Sequence, residues 1–301
     1  MDARSARKLI EECFPEIRIR RARQLLTGWE NLVLEVNGEY VFRFPRFSET
    51  EKRLRREIGL LSKLRGHLSV PVPDYKFVWK GDRKHPHWFG GYPKLRGETI
   101  SDRVLGTRAT RQLARQVSRF LKELHSTGIQ SRRLHVPEYS PGEWVNSIRL
   151  QRNRIRRIIY PLLRPELRNR SEKFWQGLLS DFANADFKPT LIHGDLSTEN
   201  ILFDPETLEL TGILDWGYAQ VSDPALEFAH LFMHNPTFGK EVLRIYGKVG
   251  QSFEQRVQWY VRSEPFYDIM WGVEHHWQKA KTIGMANLTK ELREMPDQHS
   301  H

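Results

Sequence analysis

The chain of 301 residues carries a formal net charge of +11, and 39% of its residues are hydrophobic. This composition excludes a disordered protein, and the length suits two lobes better than one compact core. No apolar run is long enough to cross a bilayer, so we expect no membrane partner. The single cysteine, Cys13, cannot form an internal disulfide, which favours a cytoplasmic location.

The first 92 residues predict a small antiparallel sheet with a long helix beside it. Residues 3–14 predict an amphipathic helix that ends at Pro15. Asn37-Gly38 separates two apolar runs, and its tolerance of positive φ predicts a two-residue hairpin turn. Leucines and an isoleucine at helical spacing predict a second helix over residues 50–65. Strands are predicted at residues 17–26, 32–36, 40–44, 75–79 and 88–92.

The rest of the chain predicts a larger and mainly helical lobe. Residues 93–97 (PKLRG) are expected to form a hinge, followed by the second lobe over residues 98–301. Residues 111–127 show strong helical periodicity, and residues 140–181 predict a helical insertion that is rich in arginine. The predicted fold class is therefore α+β, with an N-terminal sheet lobe and a C-terminal helical lobe.

The most informative motif is LIHGDLSTENILF at residues 191–203, which predicts a strand, a polar loop and a second strand. The loop presents Asp195 and Asn200, and a later apolar strand delivers Asp215 into the turn D-W-G. A carboxylate can accept a proton from a hydroxyl, while carboxylate and amide oxygens suit Mg²⁺. Protein kinases carry H-R-D-x-x-x-x-N and D-F-G in the same order, so the motif favours phosphoryl transfer.

On these motifs the chain resembles the aminoglycoside phosphotransferase family, and its nearest likeness is to aminoglycoside 2''-phosphotransferases. Residues 193–231 carry the specific part, and residues 31–45 extend it. The resemblance implies a two-lobed protein-kinase-like fold, ATP or GTP as phosphoryl donor, and Mg²⁺. It also implies that Asp195 is the catalytic residue and that Asn200 and Asp215 bind the metal.

The resemblance further implies a cation on the third strand that contacts the nucleotide phosphates. The family's usual residue there is lysine, whereas this chain has Arg43 within VFRFP. A guanidinium is planar and longer than an ammonium, so the two are not interchangeable at a positioned site. Glu57, near the middle of the predicted helix 50–65, is the expected partner of Arg43.

Two further nucleotide contacts are expected from the resemblance. Thr27 and Gly28 lie in the turn that would cover the phosphates, although this turn lacks the G-x-G-x-x-G of protein kinases. The nucleotide base would bind hinge backbone. Since Pro93 has no N–H, the hinge donor would be Lys94 or Leu95.

The acceptor is expected to be an aminoglycoside, as in an antibiotic-resistance enzyme. Carboxylates follow the metal turn, and others lie on a predicted helix near the end of the chain. A polycationic acceptor requires carboxylates in its cleft, and the segment DIMWGVE at residues 268–274 resembles the acidic helix of the 2''-phosphotransferases. The predicted acceptor-binding residues are Glu227, His230, Asp268, Trp271 and Glu274.

Two alternatives remain open at this point. A macrolide or another metabolite could replace the aminoglycoside on the same fold. A nucleic-acid-binding pseudokinase is the third hypothesis, because arginines crowd residues 149–170. A solvated helix face explains these arginines better, and the intact motif residues argue against a pseudokinase. We expect a monomer.

Overall fold

The computed structural model describes residues 1–25, 30–103, 105–128, 131–183 and 186–294. Thr27 and Gly28, the predicted phosphate turn, lie outside these described residues. The predicted two-lobed α+β fold is confirmed: an antiparallel sheet and its helices precede a larger helical lobe. The boundaries of the lobes stay a prediction.

The N-terminal lobe contains a five-stranded antiparallel sheet in the order β1-β2-β3-β5-β4. Asn37 and Gly38 have φ angles of 58° and 75°, which confirms the predicted hairpin turn between β2 and β3. The first strand is shorter than predicted, because Ile17 and Ile19 pack into the core without joining the sheet. The elements are α1 (Ala3–Cys13), β1 (Ala22–Gln24), β2 (Asn31–Val36), β3 (Tyr40–Pro45), α2 (Ser48–Leu64), β4 (Phe77–Trp79) and β5 (Phe89–Pro93).

The C-terminal lobe combines long helices with short strands that carry the loops of the motif. Its first part contains β6 (Glu98–Thr99), α3 (Thr107–His125), α4 (Ser131–Leu134), α5 (Pro141–Ile158) and α6 (Pro165–Ala183), and α5 and α6 occupy the predicted insertion. The strands are β7 (Thr190–Ile192), β8 (Ile201–Phe203), β9 (Leu210–Ile213) and β10 (Gln220–Ser222). The last helices are α7 (Ala225–His234), α8 (Pro236–Tyr246), α9 (Gln251–Glu274) and α10 (Gln278–Glu294).

Helix α2 belongs to both lobes through its side chains. Leu60, Leu61 and Leu64 at its C-terminal end are buried in the large core of the C-terminal lobe. The sheet has a separate, smaller core that includes Ile10 and Phe42. Burial of three leucines stabilises the position of α2 by several kcal/mol, at about 1.5–3 kcal/mol for each fully buried side chain. The packing of these leucines against the C-terminal lobe therefore fixes the position of α2 beside the sheet.

Three arginines of α5 pair with carboxylates of other helices. Arg152 and Arg156 both contact Glu172, and the Nη2 atom of Arg154 lies 2.6 Å from Glu274 Oε1. These pairs fit the predicted solvated helix face. Within the described residues, no helix has both the length and the apolar character that a membrane span needs.

Candidate active site

His193 is hydrogen-bonded to the predicted catalytic loop and to the residue that precedes Asp215. Its ring is fully buried, and Nε2 lies 2.8 Å from the carbonyl oxygen of Leu214, while Nδ1 lies 3.3 Å from the amide nitrogen of Asp195. These partners require a neutral ring in which Nε2 donates and Nδ1 accepts. Burial lowers the pKa of His193 to about 4, so the neutral form persists at neutral pH. His193 therefore supports the loop through these two hydrogen bonds.

Asp195 and Asn200 are joined within the same loop. The Asn200 side-chain nitrogen donates to the carbonyl oxygen of Asp195 at 2.9 Å, which directs the amide of Asn200 and leaves its Oδ1 atom for a metal. His230 Nδ1 lies 3.5 Å from Asp195 Oδ1. Burial raises the pKa of Asp195, and the charges of Asp215 and Glu264 raise it further. This carboxylate consequently has a higher proton affinity than an exposed aspartate.

Asp215 is placed beside the loop by the pairing of two strands. Strand β9 pairs with β8, and the Leu214 amide donates to the carbonyl oxygen of Asn200 at 2.8 Å. Asp215 follows immediately with a φ angle of 60°, a left-handed conformation that aspartate tolerates better than most residues. The two predicted metal-binding side chains are thus attached to adjacent backbone.

Arg43 connects the two lobes at this point. Its Nη1 atom donates to both carboxylate oxygens of Glu57, at 2.9 Å and 2.8 Å, and its Nη2 atom donates to Asp215 Oδ1 at 2.9 Å. Burial favours the protonated form of Asp215, but the charge and hydrogen bond of Arg43 outweigh it and lower the pKa of Asp215. The Asp215 carboxylate is therefore ionised, as a metal ligand must be.

Tyr75 is a partner of this pair that sequence reasoning missed. Its hydroxyl donates to Glu57 Oε1 at 3.0 Å, and its ring lies against Gly90, the residue opposite Arg43 in the sheet. A Cβ atom at Gly90 would lie only 2.8 Å from the ring. The absence of a side chain at Gly90 thus allows Tyr75 to reach the Arg43–Glu57 pair.

The oxygen donors of the motif fit Mg²⁺. Asn200 and Asp215 offer one amide oxygen and one ionised carboxylate, and Mg²⁺ usually takes one or two carboxylates together with phosphate oxygens and water. Within the described ranges, no group of three or more His, Cys, Asp or Glu side chains could hold a metal. Nucleotide phosphates and water would supply the other ligands of a Mg²⁺ ion at these two side chains.

The hinge offers one of the two predicted backbone donors. The Lys94 N–H already donates to the carbonyl oxygen of Glu39 at 2.8 Å, and its ammonium group pairs with Glu35. A bond from the Lys94 N–H to the nucleotide base would therefore have to replace the bond to Glu39. Leu95, whose side chain packs against Gly212 of β9, is the remaining candidate.

A cleft of about 1130 Å³ opens in front of Asp195. His230, Asp268 and Trp271, which the sequence analysis predicts to bind the acceptor, line this cleft. Glu274 also lines it, but its carboxylate is paired with Arg154. Further lining residues that sequence reasoning did not assign to the acceptor site are Glu30, Arg53, Tyr218, Glu264 and Tyr267.

Two of these residues shape the acidic character of the cleft. Burial raises the pKa of Glu264 to about 7, and the nearby Asp268 adds to this effect. Burial also raises the pKa of Asp268, although His234 opposes the shift. Burial disfavours the charged form of both carboxylates, and a cationic ligand would stabilise that form.

Glu227 differs from its predicted place in the acceptor site. It is fully buried, and its Oε1 atom accepts from the amides of His193 and Gly194. Burial raises the pKa of Glu227 to about 7, against the effect of these two hydrogen bonds. Glu227 therefore anchors the start of the predicted catalytic loop, and it is not among the residues that line the cleft described above.

Comparison with known proteins places the chain among phosphotransferases. A family model described as "Phosphotransferase enzyme family" matches residues 21–260. The chain belongs to this family. A solved GDP complex of aminoglycoside 2'-phosphotransferase-IIIa superposes with a TM-score of 0.87 at 26% identity, covering 97% of this chain and 99% of that chain. A GDP and kanamycin complex of APH(2")-IIIa gives a TM-score of 0.87 at 28% identity, covering 95% and 98%.

Other similarities concern the fold alone or only part of the chain. A macrolide 2'-phosphotransferase of Brachybacterium faecium superposes with a TM-score of 0.71 at 19% identity, covering 98% of this chain and 99% of that chain. An uncharacterized protein, YcbJ of Bacillus subtilis, is 27% identical over 68% of this chain. The match spans 66% of YcbJ, slightly under two thirds of its length. A separate match, 32% identical over 18% of this chain, spans 7% of acyl-CoA dehydrogenase family member 11 of Mus musculus.

The position of Glu227 gives a prediction for this family member. Glu227→Gln, an isosteric match to the protonated side chain, should keep an acceptor for the two loop amides and retain most activity. Glu227→Leu should leave both buried amides unsatisfied and lower the free energy of unfolding by about 1–3 kcal/mol for each. Denaturant titration and steady-state kinetics measure both effects. A rise of the acceptor KM in both variants, with unchanged stability, would restore Glu227 to the acceptor site.

Proposed function

We propose that the chain transfers the terminal phosphoryl group of ATP or GTP to a hydroxyl of a small molecule, and that this molecule is an aminoglycoside. The observation that carries the proposal is the arrangement around Arg43. One buried cation contacts both Glu57 and the ionised Asp215, next to a carboxylate, Asp195, that faces an acceptor-sized cleft. Relatives at 26% and 28% identity were solved with GDP, and one of them with kanamycin.

Each residue has a defined task in this proposal. Asp195 accepts the hydroxyl proton of the acceptor, and burial raises the pKa of Asp195, which increases its affinity for that proton. Arg43 contacts the nucleotide phosphates with the N–H donors that neither Glu57 nor Asp215 uses. Asn200 and Asp215 would hold Mg²⁺, which neutralises phosphate charge when bound. Leu95 donates its N–H to the nucleotide base.

The choice of an aminoglycoside rests on the carboxylates of the cleft. Asp268 and Glu264 both line the cleft, and an ammonium group beside them gains Coulomb energy that exceeds the value in bulk water. Trp271, whose ring lies 3.9 Å from that of His275 at an interplanar angle of 49°, supplies a flat wall for a sugar ring. The net charge of +11 does not oppose this. Arg152 and Arg156 pair with Glu172 and do not line the cleft. Arg154 does line it, but its charge is paired with Glu274.

A macrolide or another hydroxylated metabolite remains the second candidate, because Arg154 neutralises Glu274 and apolar residues also line the cleft. The deciding experiment is an assay of nucleoside-diphosphate release with ATP and GTP against a panel of aminoglycosides, macrolides and neutral metabolites. Mass spectrometry should detect a phosphorylated aminoglycoside. Phosphorylation of a macrolide or metabolite alone would replace the acceptor and leave the phosphotransferase chemistry in place.

Asp195→Asn should lower kcat by about 100-fold or more, in the range that a positioned general base contributes. The nucleotide KM should change little, because Asp195 serves the acceptor hydroxyl. Steady-state kinetics with a saturating acceptor measures both constants. Near-normal turnover of the variant would remove Asp195 from the mechanism.

Asp268→Asn should raise the acceptor KM by about tenfold, since hydrogen bonds to charged groups contribute about 1.5–3 kcal/mol. Glu274→Gln is the matched control on the same helix, and its effect should be smaller because Arg154 already holds that carboxylate. Initial rates at varied acceptor concentration provide the comparison. Equal effects of the two substitutions would contradict the assignment of Asp268 as the stronger contact.

A further inference from the structure

Three side chains that are distant in the sequence meet at the mouth of the cleft. Arg53 of α2 donates from Nη1 to Glu30 Oε1 and to the hydroxyl oxygen of Tyr218. The Tyr218 hydroxyl in turn donates to Glu30 Oε1 at 2.8 Å, and the Arg53 guanidinium lies 4.4 Å from the centre of the Tyr218 ring. Each member of this group, which we call the Glu30–Arg53–Tyr218 clasp, therefore contacts the other two.

The clasp joins the lobe that would bind phosphates to the catalytic loop. Glu30 immediately precedes β2 and is bonded through its carbonyl oxygen to the amide of Arg46 at 2.9 Å. Tyr218 belongs to the other lobe and follows the D-W-G turn. Its carbonyl oxygen approaches Gly194 so closely that a Cβ atom at Gly194 would lie 2.3 Å away. A displacement of Tyr218 is thus transmitted directly to the residue beside Asp195.

The clasp combines an ion pair, hydrogen bonds and a cation–π contact at a partly exposed position. The Arg53 and Glu30 side chains are 18% and 23% exposed, so their pair is less screened than a surface ion pair. Arginine can hold a carboxylate, a hydroxyl and a ring face at the same time, which lysine cannot do. Glu30, Arg53 and Tyr218 all line the same cleft as Asp195.

We propose that the Glu30–Arg53–Tyr218 clasp is a positioning device that sets the distance between the bound nucleotide and Asp195 and excludes water from this end of the cleft. The inference rests on the proposed phosphotransferase function. Water competes with the acceptor when the clasp is loosened: its oxygen bonds to the terminal phosphorus, the bridging P–O bond breaks to release nucleoside diphosphate, and its proton passes to Asp195. A loosened clasp therefore converts transfer into hydrolysis.

The test uses two substitutions and one matched control in the full-length chain. Tyr218→Phe keeps the ring under Arg53 and removes the hydroxyl, and Arg53→Gln removes the cation. Arg55→Gln is the control: Arg55 lies on the same helix, stacks over Trp88 at 4.6 Å and pairs with Glu51. Arg55 makes the same kinds of contact as Arg53 but does not line the cleft.

The two clasp variants should lower kcat for acceptor phosphorylation by about tenfold, within the range that small misplacements of reacting groups cost. The nucleotide KM should change little, and the ratio of nucleoside diphosphate released to acceptor phosphorylated should rise above that of the wild type. Arg55→Gln should match the wild type in all three quantities. An unchanged ratio in both clasp variants, or an equal rise in Arg55→Gln, would overturn the proposal.

A second measurement separates this proposal from the proposed function, because it needs no turnover. Amide hydrogen exchange of residues 193–200 should be faster in Tyr218→Phe and Arg53→Gln than in the wild type and in Arg55→Gln. If the wild type phosphorylates no acceptor, the proposed function fails. The hydrogen-exchange rates of residues 193–200 then test by themselves whether the clasp positions the loop. Exchange that is equal in all four proteins would overturn the clasp even if the wild type is an active phosphotransferase.

Discussion

The guanidinium of Arg43, held between Glu57 and Asp215, is the contact on which the candidate active site depends. A buried cation is tolerated only when carboxylates surround it with good geometry, and here two of them do. Since these groups lie on β3, on α2 and after β9, their mutual bonds fix three elements relative to one another. The planar fork of arginine suits this task, because a single ammonium offers less rigid geometry.

The elements that meet at Arg43 are supported from outside the site. Helix α2 carries Glu57 and is held by leucines that are buried in the core of the C-terminal lobe. The catalytic loop is anchored by the ring of His193 and by the carboxylate of Glu227, both fully buried. A buried polar side chain needs hydrogen-bond partners. The loop backbone and Leu214 supply them, which explains why a histidine and a glutamate can occupy apolar surroundings. The reacting groups can then face the cleft on a fixed backbone.

The local part of this structure could be predicted from the sequence. Asn37-Gly38 identified the hairpin, and apolar spacing identified the long helices, because turn chemistry and periodicity act over a few residues. The order of the motifs and the family resemblance predicted that Arg43, Glu57 and Asp215 share one site, and the three side chains are in contact. The side that a helical residue presents could not be predicted equally well: Glu227 was expected in the cleft, but it faces the loop amides 33 and 34 residues away.

Long-range partnerships account for the other differences. The N–H of Lys94 bonds to Glu39, and Glu274 pairs with Arg154 of the helical insertion, so neither group is as available as the sequence suggested. The Glu30–Arg53–Tyr218 clasp joins residues that are 165 and 188 positions apart. Such contacts depend on the packing of both lobes, and no local pattern encodes them.

The role of Arg43 is tested most directly by calorimetric titration of ATP and GTP, with and without Mg²⁺, into the wild type, Arg43→Ala and Arg46→Ala. Arg46 is an exposed arginine in the same segment and serves as the matched control. The wild type and Arg46→Ala should bind nucleotide in the presence of Mg²⁺ with similar affinity. Arg43→Ala should bind at least about tenfold more weakly, because a charged hydrogen bond contributes about 1.5–3 kcal/mol. Equal affinity of all three proteins would contradict the account.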